Sequence, residues 1–204
     1  MQDIRICFVG DSFVNGTGDE TCLGWAGRLC AAAKTDNISL TYYNLGVRRN
    51  TSEDILQRWE QECALRLPDF CDGRMVLSCG VNDMLSEHDQ LRVSPEDSRS
   101  NVRQILQQAS AKYKTIMVGP APVGDAALNS RIKTISAAYA QEASALGIPF
   151  IDVFSQLITD RQYLQDCNSS DGLHPRSDGY SAIAKVIAAS GNWWFRQIPL
   201  TQQV

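Results

Sequence analysis

Five short apolar runs recur along the chain, and each is separated from the next by a segment with helical periodicity. They cover residues 4–10, 40–45, 74–79, 115–119 and 148–153. Most are continuously apolar, which is typical of parallel strands that are covered on both faces. Strands that alternate with helices connect by right-handed crossovers, which place helices on both faces of the sheet. The pattern predicts an α/β fold with three α/β/α layers, flavodoxin-like, around a five-stranded parallel sheet.

Side-chain caps and glycines mark the ends of the intervening helices. A polar side chain that accepts the first free N–H groups begins a helix, and a glycine often follows the last turn. A weaker helix is predicted over residues 23–34. Residues 160–176 form the longest predicted loop, a length that is often functional in a compact domain. The end signals are the capping box of Thr51 and Asp54, Ser94 followed by Pro95, Gly147 after the third helix, and Ser177 as the cap of the last.

Length and composition favour one domain over residues 1–204 and argue against several kinds of partner. The chain carries 19 basic and 23 acidic side chains, for a net charge of −4, and it has no basic run. Nucleic-acid binding is not expected, because it relies on clustered Lys and Arg. No run approaches the length of a membrane span, so no integral membrane contact is expected. The N-terminus lacks a signal-peptide pattern, and we therefore expect a cytoplasmic protein.

The cysteines and histidines argue against a metal site. The seven cysteines include no CxxC pair, which excludes zinc-ribbon and thioredoxin-like motifs. The chain has only two histidines, His88 and His174, so a site of several histidines is not expected either. We predict no bound metal, and any histidine chemistry has two candidates.

Polar residues follow the predicted strands at their carboxyl ends, where ligands bind in open parallel sheets. Ser12 follows the first strand, and a serine is a weak nucleophile that needs a base. His174 is a candidate base, because Asp171 lies three residues earlier and is within reach of the ring Nδ1. Acyl transfer also needs donors for the oxyanion, and the candidates are the N–H groups of Ser12 and Gly46 and the side chain of Asn82.

Each of these residues has a simpler interpretation when it is taken alone. A serine at the end of a strand commonly caps the next helix, and a histidine near an aspartate is commonly a surface residue beside a turn. A glycine or an asparagine after a strand is commonly part of a turn. Their joint occurrence at successive strand ends is harder to explain by capping.

Four sequence blocks, in this order, resemble those of the SGNH (GDSL-type) hydrolases. They fall between residues 10 and 175 and so cover most of the chain. Four ordered blocks are a specific signal, unlike any single one. The resemblance implies a serine ester hydrolase without a cofactor that acts on small-molecule esters. The blocks are Gly10-Asp11-Ser12 with Gly16, Asn44-Leu45-Gly46, Gly80-Val81-Asn82-Asp83 and Asp171-Gly172-Leu173-His174-Pro175.

By this resemblance, Ser12 is the nucleophile, His174 is the base and Asp171 orients the base. The N–H groups of Ser12 and Gly46, together with Asn82, are implied to form the oxyanion hole. The resemblance leaves the substrate open among short acyl esters, acetylated sugars, lysophospholipids and thioesters.

Two departures from the family pattern concern the substrate pocket. Phe13 stands in the first block where GDSL has leucine, and Arg49 stands where many members carry a second glycine. Arg48 and Arg49 could meet an anionic group, although such a pair is more commonly solvated. Six residues that flank the blocks are candidates for the substrate pocket, and the apolar ones are equally consistent with core positions. The six candidates are Phe13, Val47, Arg48, Met84, Val123 and Leu173.

The sequence also indicates structural roles for other polar residues and is compatible with other functions. Asp11 and Asp83 are expected to be structural, and His88 is expected to be a solvated loop residue. A flavodoxin-like module that binds a nucleotide or phosphate would use the same sheet edge, but the chain lacks a GxGxxG or P-loop motif. An acyltransferase would use the same constellation with an alcohol in place of water. An exposed patch at residues 193–195 would indicate a homo-oligomer.

Overall fold

Five parallel strands form the central sheet. The structure is a computed structural model that describes residues 2–33 and 38–195. The described residues contain seven strands, of which five form this sheet. They are β1 (Gln2–Gly10), β2 (Ile38–Gly46), β3 (Asp72–Ser78), β4 (Ser86–Glu87), β5 (Gln90–Leu91), β6 (Lys114–Val118) and β7 (Phe150–Ile151). The sheet order is β2-β1-β3-β6-β7, and β4 and β5 form a separate antiparallel hairpin. The predicted α/β class and the five-stranded parallel sheet are confirmed.

Helices cover both faces of this sheet. The chain runs outward from β1 to β2 and then returns to β3, so right-handed crossovers place the helix before β2 and the helix after it on opposite faces. The helices are α1 (Ser12–Asn15), α2 (Gly24–Ala33), α3 (Ser52–Ala64), α4 (Pro95–Ser110), α5 (Ala126–Ala145), α6 (Phe154–Leu157), α7 (Arg161–Asn168) and α8 (Ser177–Ala189). On one face α2 packs against α8, and on the other α4 packs against α3 and α5. None of the helices in the described part of the chain is long and apolar enough to cross a membrane.

Most of the predicted end signals act as expected. The side chains and backbones of Thr51 and Asp54 bond reciprocally at the start of α3, as a capping box requires. Ser94 accepts a hydrogen bond from the Asp97 N–H at 3.1 Å, ahead of Pro95 in α4. The helix that was predicted over residues 23–34 corresponds to α2, and residue 34 lies outside the described residues, as do residues 1 and 196–204 of the predicted domain.

Two predicted features are wrong. Ser177 is the first residue of α8 and does not cap it, because Arg176 holds the cap position; the Ser177 hydroxyl accepts a hydrogen bond of 2.7 Å from Arg28. Residues 160–176 do not form one long loop, because α7 lies within them. Asp160 caps α7 by accepting bonds from the two N–H groups at 162 and 163. This helix was missed because its eight residues bury only two side chains, which is too short a stripe for periodicity to detect.

The aromatic residues after α8 pack on the domain. Trp193 and Phe195 are buried, and the Trp193 ring centroid lies 6.4 Å from that of Phe8 in β1. The guanidinium carbon of Arg74 lies 5.2 Å from the ring centroids of both Trp194 and Phe195. These contacts bring the end of the described chain onto the sheet.

A buried ion pair ties the loop after α1 to two helices. The side chain of Asp19 is fully buried and accepts bonds from the Gly24 N–H at 2.8 Å and from the guanidinium of Arg28. The same guanidinium reaches the hydroxyl of Ser177 in α8. Burial alone would raise the pKa of Asp19, but the bonds from Arg28, Thr21 and Gly24 overcome it and lower the pKa well below its usual range.

We expect Asp19→Asn to lower the free energy of unfolding by roughly 2–4 kcal/mol, since it leaves a buried guanidinium without its counter-charge. The native pKa of Asp19 is depressed, so its ionic contribution is present above about pH 4 and is lost as the pH falls below that value. Urea unfolding of both proteins between about pH 7 and pH 3 measures the loss.

Asp3→Asn is the matched control, because the Asp3–Arg5 pair is partly solvated. It should change the free energy of unfolding by no more than about 0.5 kcal/mol. Equal effects of the two substitutions would contradict the role assigned to Asp19.

Candidate active site

Ser12 lies at the carboxyl edge of the sheet, where the strand order reverses. It begins α1 directly after β1, and Asp11 caps that short helix by accepting the Phe13 N–H at 2.9 Å. Gly16 ends α1 in the left-handed conformation with φ of 86°, and its N–H bonds to the carbonyl of Ser12 at 3.0 Å. The turn of α1 therefore holds Ser12 between two caps, in the crevice that open α/β sheets use for ligands.

The structure brings Ser12 together with two residues that lie far along the chain. The Nε2 atom of His174 lies 2.7 Å from the Oγ of Ser12, and its Nδ1 lies 2.7 Å from a carboxylate oxygen of Asp171. Because the carboxylate is an acceptor, the hydrogen of the neutral ring belongs on Nδ1, and Nε2 is left to accept the serine proton. This geometry is suited to activating a hydroxyl as a nucleophile.

The surroundings of Asp171 favour the ionised form of its carboxyl group. Burial would raise its pKa, but bonds from the backbone and ring of His174 and from the backbone of Leu173 lower it overall. Its Oδ1 accepts the N–H groups of His174 at 2.8 Å and of Leu173 at 3.0 Å. The side chain is also 52% exposed, so solvent stabilises the charge as well.

Asn82 is positioned at the end of the strand next to β1. The nearby Gly80 has a φ of 120°, and a Cβ there would lie 2.8 Å from the ring of Tyr139, so only glycine fits this turn. One N–H of the Asn82 carboxamide is donated to the carbonyl of Asn50 at 3.0 Å. A carboxamide has two N–H groups, so the second can be offered to a ligand.

The structure does not support Gly46 as an oxyanion donor. Its N–H is donated to the side-chain oxygen of Asn44 at 3.0 Å. A Cβ at Gly46 would lie 2.1 Å from the backbone nitrogen of Asn15, so glycine is needed here for the close packing of α1 on β2. Asn44 completes this contact by donating to the carbonyl of Val14 at 2.9 Å. The glycine therefore serves packing, and its N–H is already occupied.

The predicted pocket residues divide into three groups. Phe13 packs on His174, with 5.2 Å between the ring centroids, while Leu173 is half-buried beside it. Val47 and Arg48 are exposed. Met84 and Val123 are buried in the hydrophobic core, and Val123 also lines an open cavity of about 450 Å³ together with Phe154 and Leu164.

Three other ionisable residues that the sequence analysis considered, Asp83, Arg49 and His88, have no contact with Ser12 or His174 among the hydrogen bonds and ion pairs of the described residues. Asp83 is fully buried and accepts bonds from the Ser52 N–H at 2.8 Å and from the Ser98 hydroxyl at 2.5 Å. Arg49 pairs with Glu87 at 2.7 Å on the exposed surface. His88 is exposed at the tip of the β4–β5 hairpin with a φ of 52°.

Asp11 is a buried carboxyl with one unpartnered oxygen. Its Oδ1 caps α1, but its Oδ2 has no hydrogen-bond partner within the described residues. Burial, with a smaller contribution from the nearby Asp83, raises the pKa of Asp11 to about 7 against the bond from Phe13. A small cavity of about 10 Å³ adjoins Asp11, next to the side chains of Phe13 and Val81.

Two residues at this edge were missed by the sequence analysis. Asn50 and Arg58 bond to each other, Arg58 also bonds to the ends of β1 and β2, and Asn50 accepts a bond from the carboxamide of Asn82. Arg58 lies among the apolar residues of the α3 stripe and belongs to none of the four blocks, so no motif marks it. Nothing in the local pattern distinguishes it from a solvated helix residue.

A sequence profile of the GDSL-like lipase/acylhydrolase family matches residues 8–182. Comparison with curated protein sequences gives no match. The match to the family profile extends over all four sequence blocks, which lie between residues 10 and 175.

The chain is also similar in fold to solved proteins that are described as lipolytic, as a lipase/acylhydrolase or as an esterase. A lipolytic protein of the G-D-S-L family from Veillonella parvula is 19% identical, with a TM-score of 0.74 over 90% of this chain and 95% of that one. A lipase/acylhydrolase from Enterococcus faecalis is 22% identical, with a TM-score of 0.71 over 92% and 93%. An acetylxylan esterase from Geobacillus stearothermophilus is 17% identical, with a TM-score of 0.72 over 91% and 92%.

Asp11→Asn should change how stability depends on pH. The native pKa of Asp11, about 7, lies above its unfolded value, so the native state binds more protons between about pH 4 and pH 7. The stability that protonated Asp11 contributes is present at low pH and is lost as the pH rises through about 7. Asparagine keeps the acceptor for the Phe13 N–H and does not ionise.

We therefore expect the wild type to lose stability relative to Asp11→Asn by up to roughly 4 kcal/mol between about pH 4.5 and pH 8. Urea unfolding across this range measures the difference. A difference that does not change with pH would contradict the assignment.

Proposed function

The chain belongs to the GDSL-like lipase/acylhydrolase family, whose members are carboxylic ester hydrolases, and we propose that it is a serine esterase that acts through Ser12, His174 and Asp171. The observation that carries this proposal is the continuous line of hydrogen bonds from Ser12 through His174 to Asp171, with both distances at 2.7 Å. The module that binds a nucleotide or phosphate, considered as the alternative, would leave this line without a role.

Acylation uses each of these groups once. The Oγ of Ser12 attacks the ester carbonyl carbon while Nε2 of His174 accepts the hydroxyl proton. Asp171 stabilises the imidazolium that forms, and its bond to Nδ1 holds the ring in place. His174 then gives the proton to the leaving alcohol as the C–O bond of the ester breaks. The product is an acyl group on Ser12.

Deacylation repeats the same steps with water. His174 takes a proton from a water molecule, which attacks the acyl carbon, and the proton returns to Ser12 as the carboxylic acid leaves. The developing oxyanion needs donors in both halves of the reaction. We assign this role to the Ser12 N–H and to the second side-chain N–H of Asn82, and not to Gly46, whose N–H is donated to Asn44.

A short acyl group, and an acetylated carbohydrate in particular, is the substrate we propose. The cavity behind Phe13 and Val81, which neither Ser12 nor His174 lines, holds about 10 Å³, so the interior behind the site has room for about one water and none for a long acyl chain. Val47 and Arg48 are exposed, which leaves open space for the alcohol part of the ester. The similar fold of an acetylxylan esterase supports the same choice.

We expect Ser12→Ala and His174→Ala each to lower kcat/KM for p-nitrophenyl acetate by at least about 10³-fold, because either change removes the nucleophile or its base. Asp171→Asn should lower it by roughly 10²–10⁴-fold through the loss of the orienting charge. His88→Ala is the matched control and should retain full activity. Full activity in Ser12→Ala would rule out the assignment.

Substrate preference is tested with an acyl-length series and an acetylated xylo-oligosaccharide. We expect kcat/KM to fall by at least about 10-fold from acetyl to octanoyl esters, because each methylene must find space beside Phe13. Acetate should be released from the oligosaccharide. A preference for octanoyl esters, lysophospholipids or thioesters would contradict this choice. Transfer of the acyl group to an added alcohol at the expense of hydrolysis would indicate the acyltransferase.

A further inference from the structure

The guanidinium of Arg58 connects the segments that meet at the candidate active site. Its Nη2 donates to the carbonyl of Gly10 at 2.8 Å and to the carbonyl of Leu45 at 3.0 Å. Its Nε donates to the side-chain oxygen of Asn50 at 2.7 Å, and its Nη1 bonds to Glu62, four residues along α3, at 2.8 Å. All three nitrogens of the guanidinium are thus engaged, and the side chain is only 18% exposed.

Two of these partners are the ends of neighbouring strands. Gly10 ends β1, two residues before Ser12, and Leu45 lies at the end of β2. The Gly10 carbonyl also accepts the N–H of Val47 at 3.0 Å, so the strand end and the following loop share one acceptor. Arg58 therefore connects α3 by hydrogen bonds to the end of β1, from which the chain continues to Ser12.

The third partner of Arg58 is Asn50, which also contacts Asn82, the proposed oxyanion donor. The backbone carbonyl of Asn50 accepts the N–H of Asn82 at 3.0 Å, while the side chain of Asn50 is held by Arg58. One asparagine thus connects the guanidinium to the carboxamide of Asn82. Any shift of Asn50 would move the acceptor that orients that carboxamide.

The turn that contains Asn50 needs such a restraint. The Asn50 N–H bonds to the Val47 carbonyl at 3.2 Å, and Arg49 within this turn has a φ of 66°, which favours glycine. The side chain of Arg49 reaches Glu87, but that pair is exposed on both sides and holds the turn only weakly. The bond from the largely buried Arg58 is the stronger restraint.

We propose that Arg58 is a positioning residue of the esterase, which holds the Asn50 turn so that the carboxamide of Asn82 faces the oxyanion formed at Ser12. This inference rests on the proposed function and deepens it. Arginine suits the role because its planar fork donates in fixed directions to several acceptors. A lysine ammonium is a single point charge and does not reach the strand ends and Asn50 in this geometry.

The test compares Arg58→Lys with Arg66→Lys on p-nitrophenyl acetate. Arg66 lies just beyond the end of α3, donates to the Glu62 carbonyl at 2.7 Å and stacks on Tyr43, away from the site. Arg58→Lys should lower kcat by at least about 10-fold with KM changed less than about 2-fold, because a displaced donor affects the transition state and not ground-state binding. Arg66→Lys should change neither value.

A double-mutant cycle with Asn82→Ala separates positioning from general loss of structure. If Arg58 acts through Asn82, Arg58→Lys should cost less than about 2-fold in kcat once Asn82 is alanine. A loss of the same size in both backgrounds would overturn the proposal. Rates are expressed per active site, counted by covalent labelling of Ser12 with a fluorophosphonate.

Asn50→Leu gives a second route if Arg58→Lys does not fold. It removes the acceptor for Arg58 and keeps the backbone carbonyl, so it should reproduce the loss in kcat, whereas Asn50→Asp should retain kcat within about 3-fold. Full activity in Asn50→Leu would overturn the proposal. Full activity in Ser12→Ala would instead remove the proposed function on which the inference rests. Loss in Ser12→Ala with no change in Arg58→Lys would contradict the inference alone.

Discussion

The pairing of β1 with β2 on one side and β3 on the other is the constraint on which the site depends. Gly10 at the end of β1 is in register with Gly46 of β2 and with Ser78 of β3, so the three strands end at one level. A Cβ at Gly10 would lie 2.0 Å from the Ser78 carbonyl, which shows how closely the strand ends approach. Residues that follow these strands therefore lie near one another although they are far apart in the chain.

Local bonds convert this proximity into a defined geometry. Asp11 caps α1 and so orients Ser12, while the backbone of His174 bonds to the carboxylate that also holds its ring. Buried polar groups with complete sets of partners are rigid, whereas an unpaired one is costly. Asp11, with one oxygen unpaired among the described residues, is the exception in this arrangement, and it adjoins the nucleophile.

Much of the fold was predictable because its signals are local. Apolar runs predicted the central strands, and the caps of α3 and α4 were read from pairs of residues a few positions apart. Prediction failed where a helix was too short to show a periodic apolar pattern, or where a side chain that commonly caps a helix had another partner. The helix α7 buries two side chains in eight residues, and the hydroxyl of Ser177, which looked like a cap, bonds instead to Arg28, nearly 150 residues earlier in the chain.

The sequence by itself determined the class of fold and the order of the blocks, because residue types and their order are properties of the chain, and the resemblance of those blocks to a known family related Ser12 to His174. Only the tertiary structure decided which donors are free. The N–H of Gly46 is taken by Asn44, one N–H of Asn82 is taken by Asn50, and Arg58 connects strand ends that no motif relates. The physical reason is that a hydrogen-bonding group is occupied or free according to what folding brings within about 3 Å of it, and sequence spacing does not contain that distance.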